Sequence, residues 1–182
     1  MNNEKTTVLT EVPVGEVFKV GNYEFIKFTD DNGQVIAVSK EYLYNSQFGR
    51  DNNLSTSEIL EKLQNELLKE LEEIVGADNI IEHEVDLLSL DGSDKYGIVK
   101  TKISLPTFDF YRHNVKLFER YKLDEWWWLA TPESTSEHES DDWIVCVSPR
   151  GGISYDNCNG EGCGVRPFCI FNSNIFVSYG EE

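Results

Sequence analysis

Between Trp126 and Phe168 the chain reads Trp126-Trp127-Trp128-Leu129-Ala130-Thr131-Pro132, then Trp143-Ile144-Val145-Cys146-Val147, Gly151-Gly152-Ile153 and Gly164-Val165-Arg166-Pro167-Phe168. Short apolar runs separated by Gly, Pro, Asn and Ser clusters predict the strands of a compact, loop-rich sheet. Successive side chains of a strand alternate faces, so Trp127 is expected to point away from Trp126 and Trp128, with at least one side forming core. The rest of the chain has to supply the layers that cover such a sheet.

Upstream, Val17–Val20, Tyr23–Phe28 and Gln34–Ser39 read as short strands of an antiparallel meander. The Asn-Gly step of Asp30-Asp31-Asn32-Gly33 marks a hairpin turn. The longest helix is predicted to start at Ser55-Thr56-Ser57-Glu58, which has the capping-box form, and to end at Gly76. Ile59, Leu60, Leu63, Leu67, Leu68, Leu71, Ile74 and Val75 recur at helical spacing and define its buried face. Its other face carries Glu58, Glu61, Glu66, Glu70, Glu72 and Glu73 against Lys62 and Lys69, with Glu58 and Lys62 at pairing distance.

Val85–Leu90 and Gly97–Ile103 read as a strand pair joined by Asp91-Gly92-Ser93-Asp94. A short helix is expected from Pro106-Thr107 through Phe118, with Thr107 or Asp109 near its N-terminus and Phe108, Tyr111, Val115 and Phe118 on one side. The prediction is an α+β chain with one long and one short helix among short antiparallel strands. With 182 residues and neither an internal repeat nor a linker, residues 1–182 are expected to form a single domain, whose sheet core is clearest at 126–171.

Charge narrows the classes of partner. Thirty-three acidic residues against 16 basic ones give a formal charge of −17 and a pI near 4.5. Such a surface repels phosphate backbones and anionic lipid, which excludes direct nucleic-acid and membrane-surface binding. It attracts a basic protein, over long range and in a salt-sensitive way. No apolar run approaches the roughly 20 residues of a membrane span, and Met1-Asn2-Asn3-Glu4-Lys5-Thr6 lacks a signal-peptide pattern, so a cytoplasmic location is expected.

The most concentrated acidic segment is Glu133-Ser134-Thr135-Ser136-Glu137-His138-Glu139-Ser140-Asp141-Asp142, with five carboxylates and no Lys or Arg. It is expected to be a polar, flexible loop between two Trp-bearing strands, whose Glu133, Glu137, Glu139, Asp141 and Asp142 stand where phosphates would. Glu66, Glu70 and Glu73 of the long helix form a second candidate patch. Aromatic and amide residues near the end, Tyr155, Asn157 and Asn159, are the alternative contact set, suited to a protein or glycan ligand.

Motifs for chemistry are scarce. Cys146 and Cys169 lie in apolar runs and read as buried core residues. Cys158 and Cys163 are spaced as two zinc ligands, but a structural site needs four, so no metal or cofactor is expected. His83, His113 and His138 are dispersed. No phosphate loop, His-Glu-x-x-His or Gly-x-Ser-x-Gly is present, and the chain reads as non-enzymatic.

The order of the C-terminal pieces, a Trp-Trp-Leu strand followed by a glycine turn and a closing Gly164-Val165-Arg166-Pro167, resembles the C-type-lectin-like fold. The branch it resembles contains formylglycine-generating enzymes and retroelement-diversified variable proteins. Val20-Gly21-Asn22-Tyr23-Glu24-Phe25 resembles the family's opening strand, Leu54–Ile59 its first helix start and Leu87-Leu88-Ser89-Leu90 its central strand. Arg166 would then be a structural residue tied to a carboxylate inside the fold. The chain departs from the family at Leu129-Ala130-Thr131, where the family commonly has Arg or Ser, and it lacks the paired cysteines of the oxidising branch.

Small acidic chains of this kind also resemble phage-encoded anti-CRISPR proteins that act on the single-effector nuclease of type II systems. That resemblance implies a guide-loaded type II CRISPR nuclease as the basic partner, in a bacterial cytoplasm. Such a nuclease holds nucleic acid in cationic channels, where an acidic ligand blocks target-DNA binding or cleavage.

Overall fold

The computed structural model describes residues 5–180. In chain order the strands are β1 (Lys5–Val8), β2 (Val17–Val20), β3 (Tyr23–Asp31), β4 (Gln34–Ser39) and β5 (Asn45–Ser46), followed by helices α1 (Glu58–Asn65) and α2 (Leu67–Val75). Strands β6 (His83–Asp86), β7 (Ile98–Thr101) and β8 (Ile103–Ser104) precede helices α3 (Phe108–His113) and α4 (Val115–Arg120). The chain ends with β9 (Trp127–Pro132), β10 (Trp143–Val147), β11 (Ile153–Asn157), β12 (Cys163–Gly164), β13 (Phe168–Asn172) and β14 (Phe176–Tyr179). Helix and sheet are mixed, strands predominate, and the α+β class follows.

A seven-stranded sheet is ordered β1-β14-β2-β3-β4-β13-β8, and a five-stranded sheet β11-β10-β9-β12-β5. Strands β6 and β7 form a separate ribbon. The predicted meander is β2–β3–β4. At its tip Asn32 and Gly33 both have positive φ, 51° and 77°, the backbone that a two-residue type I′ hairpin demands.

Two buried clusters explain the Trp run. Trp128, Ala130, Ile144 and Cys146 join Phe18, Phe25 and the apolar side of α1 and α2. Trp127, Leu129, Val145 and Val147 join Ile26, Phe28, Tyr111 and Phe118 in the other. The strands of β9 and β10 are therefore covered on both faces, and alternation sends Trp127 and Trp128 into different cores. Trp126, just before β9, remains exposed.

Several expectations are corrected. The long helix is two helices that meet at Glu66, whose φ of −111° and ψ of −80° are not helical. Ser57, not Ser55, caps α1, its hydroxyl accepting from the Leu60 amide at 3.1 Å. Leu54–Thr56 is a 3-10 turn capped by Asn53. The capping box fails because Glu58 accepts from Gln47 Nε2 at 2.6 Å, and Lys62 lies over the Tyr44 ring instead of pairing with Glu58. Of the predicted apolar face, Ile74 is exposed and Leu68 and Val75 are half-buried, since the break at Glu66 rotates the stripe.

The short helix is likewise two pieces, broken at Asn114, and Thr107 is its N-cap, accepting from the Phe110 amide at 3.1 Å. The strand expected over Val85–Leu90 ends at Asp86, so Leu87–Leu90 is not the expected central strand. Beyond Asp86 the arm continues through a Ser89 N–H bond to the Ser93 carbonyl at 3.0 Å. Arg166 is buried and, among the described residues, its hydrogen bonds go to main-chain carbonyls rather than to a carboxylate. It donates from Nε to the Ser39 carbonyl at 2.7 Å and from Nη2 to the carbonyls of Lys40 at 3.0 Å and Tyr121 at 3.4 Å. The rings of Trp127 and Phe118 flank its guanidinium at 5.0 and 5.2 Å. Burial lowers its pKa to about 10, which leaves it charged at neutral pH.

Candidate functional site

The acidic loop between β9 and β10 is built from inside outward. Ser134 and Thr135 are buried, against the expectation of a wholly solvated, flexible connection. Their side chains turn toward the arm that follows β6. Ser134 donates its hydroxyl to Asp91 Oδ2 at 2.6 Å, and the hydroxyls of Ser93 and Thr135 lie 2.6 Å apart. Asp91 also accepts from the Ser89 hydroxyl, and His138 Nδ1 sits 3.1 Å from its Oδ2. Hydrogen bonds from Ser134 and Ser89 hold the Asp91 carboxyl well below the usual carboxylate range, because they stabilise the charged form.

A second anchor comes from the turn before α1. Asn52 is fully buried and uses its whole side-chain amide. Nδ2 donates to the carbonyls of Ser134 at 2.9 Å and Trp143 at 2.7 Å, while Oδ1 accepts from the Tyr96 hydroxyl at 2.7 Å. The Asn52 amide donates to the Asp141 carbonyl at 2.9 Å, and the Cys158 amide to the Asp142 carbonyl at 2.7 Å. Both ends of the loop are thereby fixed to segments distant in sequence.

This frame separates the five predicted acids. Glu137, Glu139 and Asp142 are exposed, and Asp141 and Glu133 are partly buried. Burial, reinforced by the charges of Glu139 and Asp91, raises the Glu133 pKa above its ordinary value. Ser140 donates its hydroxyl to Asp142 at 2.8 Å and accepts from the Asp142 amide at 3.1 Å, which orients that carboxylate. Asp51 adds its charge close to Asp141 and Asp142, since all three act on the Cys158 thiol.

The second predicted patch belongs to a different part of the fold. Glu66 and Glu70 face a cleft with Tyr23 and Tyr44, and the Tyr23 hydroxyl donates to Glu70 Oε2 at 2.5 Å. Glu73 is exposed and does not line that cleft. Of the alternative contact set, Tyr155 is exposed and packs edge-on against Trp143 with ring centroids 5.8 Å apart; Asn157 is partly buried and Asn159 exposed.

All four cysteines are free and buried, including Cys158 and Cys163 of the turn segment. A hydrogen bond with Cys146 and burial push the Cys163 thiol up, and burial with the Asp142 and Asp51 charges pushes Cys158 to about 11. These are thiols, not thiolates, at neutral pH. Among the described residues no group of three or more His, Cys, Asp or Glu is arranged to hold a metal. None of the described helices is long and apolar enough to cross a membrane.

Sequence reasoning placed the loop acids but missed Asp91, Asn52 and Tyr96, the residues that hold them. Asp91 and Asn52 each precede or follow turn-forming neighbours, in Asp91-Gly92-Ser93 and Asp51-Asn52-Asn53, so their local signal was that of a turn. Their partners lie 43 and 82 residues away, outside any local pattern. Comparisons of the chain with family models, with curated proteins and with solved structures return no match.

Proposed function

We propose that the chain is an acidic protein ligand that docks on a basic nucleic-acid-binding protein and acts by occupying that protein's cationic surface, without chemistry of its own. The observation that carries this reading is the anchored loop at residues 133–142. Glu137, Glu139 and Asp142 stand exposed on a base fixed by Asp91 and Asn52. A loop whose main chain is already anchored loses less conformational entropy on binding, and the formal charge of −17 accelerates encounter with a cationic groove.

The specific partner we propose is a guide-loaded type II CRISPR nuclease, whose target-DNA binding or cleavage the chain would block in a bacterial cytoplasm. We assign it, as part of the same proposal, to a C-type-lectin-like scaffold. What supports that assignment is the pairing of the closing Cys163–Gly164 segment alongside β9, parallel, with Gly164 opposite Trp127. The test is target-DNA binding by guide-loaded type II nucleases with and without the protein, at two salt concentrations. Loss of DNA binding that eases at high salt is the expected result; unaffected binding and cleavage across several such nucleases overturns it.

A second reading, a non-enzymatic protein- or glycan-binding module, is favoured by the exposed Trp143–Tyr155 pair on the ribbon of β10 and β11. Aromatic faces at a sheet edge suit a sugar ring or an apolar side chain. Binding there would show weak salt dependence, which separates the two.

A further inference from the structure

We propose that the outer edge of β11 pairs with the same edge of a second copy of this chain, so that the five-stranded sheet continues through a two-fold axis at Ser154. This contact is independent of the acidic loop and of the partner proposed for it.

Strand β11 ends the sheet order β11-β10-β9-β12-β5 and has no neighbour on its outer side among the described residues. Its register with β10 decides which main-chain groups that side presents. Trp143 lies opposite Asn157, Val145 opposite Tyr155 and Val147 opposite Ile153, without a bulge. At the two ends of the ladder the Cys158 amide donates to the Asp142 carbonyl at 2.7 Å and the Ser148 amide to the Gly152 carbonyl at 2.8 Å. Antiparallel pairs alternate between bonded and non-bonded positions, so Gly152, Ser154 and Asp156 turn their main-chain groups toward β10. The N–H and C=O groups of Ile153 and Tyr155 therefore point away from the sheet.

The side chains along this edge are open as well. Ile153 is 40% and Tyr155 54% exposed, and Trp143, whose ring packs edge-on against Tyr155, is 37% exposed. Alternation puts all three on the face that Val145 and Val147 share with the Trp127 core. Sheets commonly guard a terminal strand with Lys, Pro or a bulge, and Ile153-Ser154-Tyr155-Asp156-Asn157 has none of these.

Self-complementarity identifies the occupant as a second copy. Antiparallel pairing centred on Ser154 sets Ile153 opposite the partner's Tyr155 and Tyr155 opposite the partner's Ile153. Each of these pairs exchanges both of its main-chain bonds, so every outward group of the two residues is used. An aliphatic side chain then meets an aromatic one twice across the seam, a favourable cross-strand pair. Asp156 falls opposite the partner's Gly152, beside the turn that carries the partner's Arg150, which is exposed. Parallel pairing would instead align Arg150 with the partner's Arg150 and Asp156 with the partner's Asp156. A two-fold contact closes on itself, and association stops at the dimer. The charge of −17 on each copy opposes the contact at long range, which makes it weak at low salt.

The experiment is sedimentation equilibrium of the full chain from about 10 μM to about 1 mM, with amide hydrogen exchange at both ends of that range. A monomer–dimer equilibrium is expected, with a Kd on the order of 100 μM at high salt and about five- to tenfold weaker at low salt. Exchange of the Ile153 and Tyr155 amides should slow about fivefold in the concentrated sample, while that of Ser154, already bonded to β10, stays unchanged. Tyr155→Pro removes an outward N–H and leaves the β10 ladder in place, and Ile153→Lys puts a charge on the edge. Each is expected to weaken dimerisation at least about tenfold with the monomer fold retained; should the Pro variant fail to fold, Ile153→Lys decides. A protein that stays monomeric at high salt overturns the proposal and leaves the edge to a strand or sugar of another molecule. A dimer unaffected by the edge variants, with Ile153 and Tyr155 exchange independent of concentration, overturns it by placing the contact elsewhere.

Discussion

The Ser134 hydroxyl donates to Asp91 Oδ2 at 2.6 Å and ties a loop of five carboxylates to an arm 43 residues earlier in the chain. Asp91 is one acid used to position others. Replacing it with Asn puts an amide donor where hydroxyl and imidazole donors converge. Asp91→Asn is expected to leave the two cores intact and to speed hydrogen exchange of the Glu137, His138 and Glu139 amides about tenfold. Unchanged exchange would show that Asn52 holds the loop alone.

Charge reversal of the exposed acids tests the proposed docking surface directly. Glu137→Lys, Glu139→Lys and Asp142→Lys combined should leave the melting temperature nearly unaltered, because exposed charges contribute little to stability. Competition with target DNA on the nuclease is expected to fall about tenfold or more at low salt, with a shallower salt dependence. Inhibition that survives in the folded triple variant would move the contact to another face.

Arg166→Met is expected to lower stability by on the order of 3 kcal/mol, because it leaves the carbonyls of Ser39, Lys40 and Tyr121 without their shared donor and removes the cation between Trp127 and Phe118. Arg166→Lys keeps the charge but loses the fork, and should recover only part of the loss. Denaturant titration reads both, and a loss below about 1 kcal/mol for Arg166→Met would contradict the structural role.

Gly164 is required by contact rather than by conformation. A Cβ at this position would stand 2.7 Å from Cβ and Cγ of Tyr42. Gly164→Ala is therefore expected to cost about 1–3 kcal/mol by overpacking. Tyr42→Ala in the same background should relieve part of that loss, an interaction a double-mutant cycle measures.

His83 supplies a pH dependence of known sign. Its ring packs on Phe168 with centroids 5.0 Å apart, its Nε2 lies 3.0 Å from Ser104 Oγ, and burial lowers its pKa from 6.5. The unfolded chain takes up this proton first. The stability His83 contributes is thus present above about pH 6.5 and is lost as pH falls from there through the folded value. His83→Gln should flatten that part of the profile in urea titrations between pH 7 and 5, relative to the parent protein; identical slopes would mean the ring is not held neutral.

Much of the local order was legible from neighbouring residues. The hairpin at Asn32-Gly33, the Thr107 cap and the strands of the meander all follow from interactions within a few positions, which composition and spacing encode. The helix over residues 58–75 was legible in kind but not in continuity. No residue near Glu66 forbids a helix, and the break coincides with packing of Leu67 and Leu71 beneath and the Tyr23–Glu70 contact above. The partners of Arg166 lie outside any local pattern too: the family resemblance implied a carboxylate, whereas three carbonyls and two rings supply its solvation.

By itself, then, the chain's sequence determined an acidic α+β protein with Trp-bearing strands and a dense acidic segment between two of them, because charge, periodicity and turn chemistry are local properties. Which faces of Trp127 and Trp128 are covered, that residues 133–142 form an anchored loop, and that Tyr23, Tyr44, Glu66 and Glu70 share one cleft were decided only by tertiary structure. Those arrangements depend on hydrogen bonds and packing between residues tens of positions apart, whose free energy exists only once the chain is closed on itself.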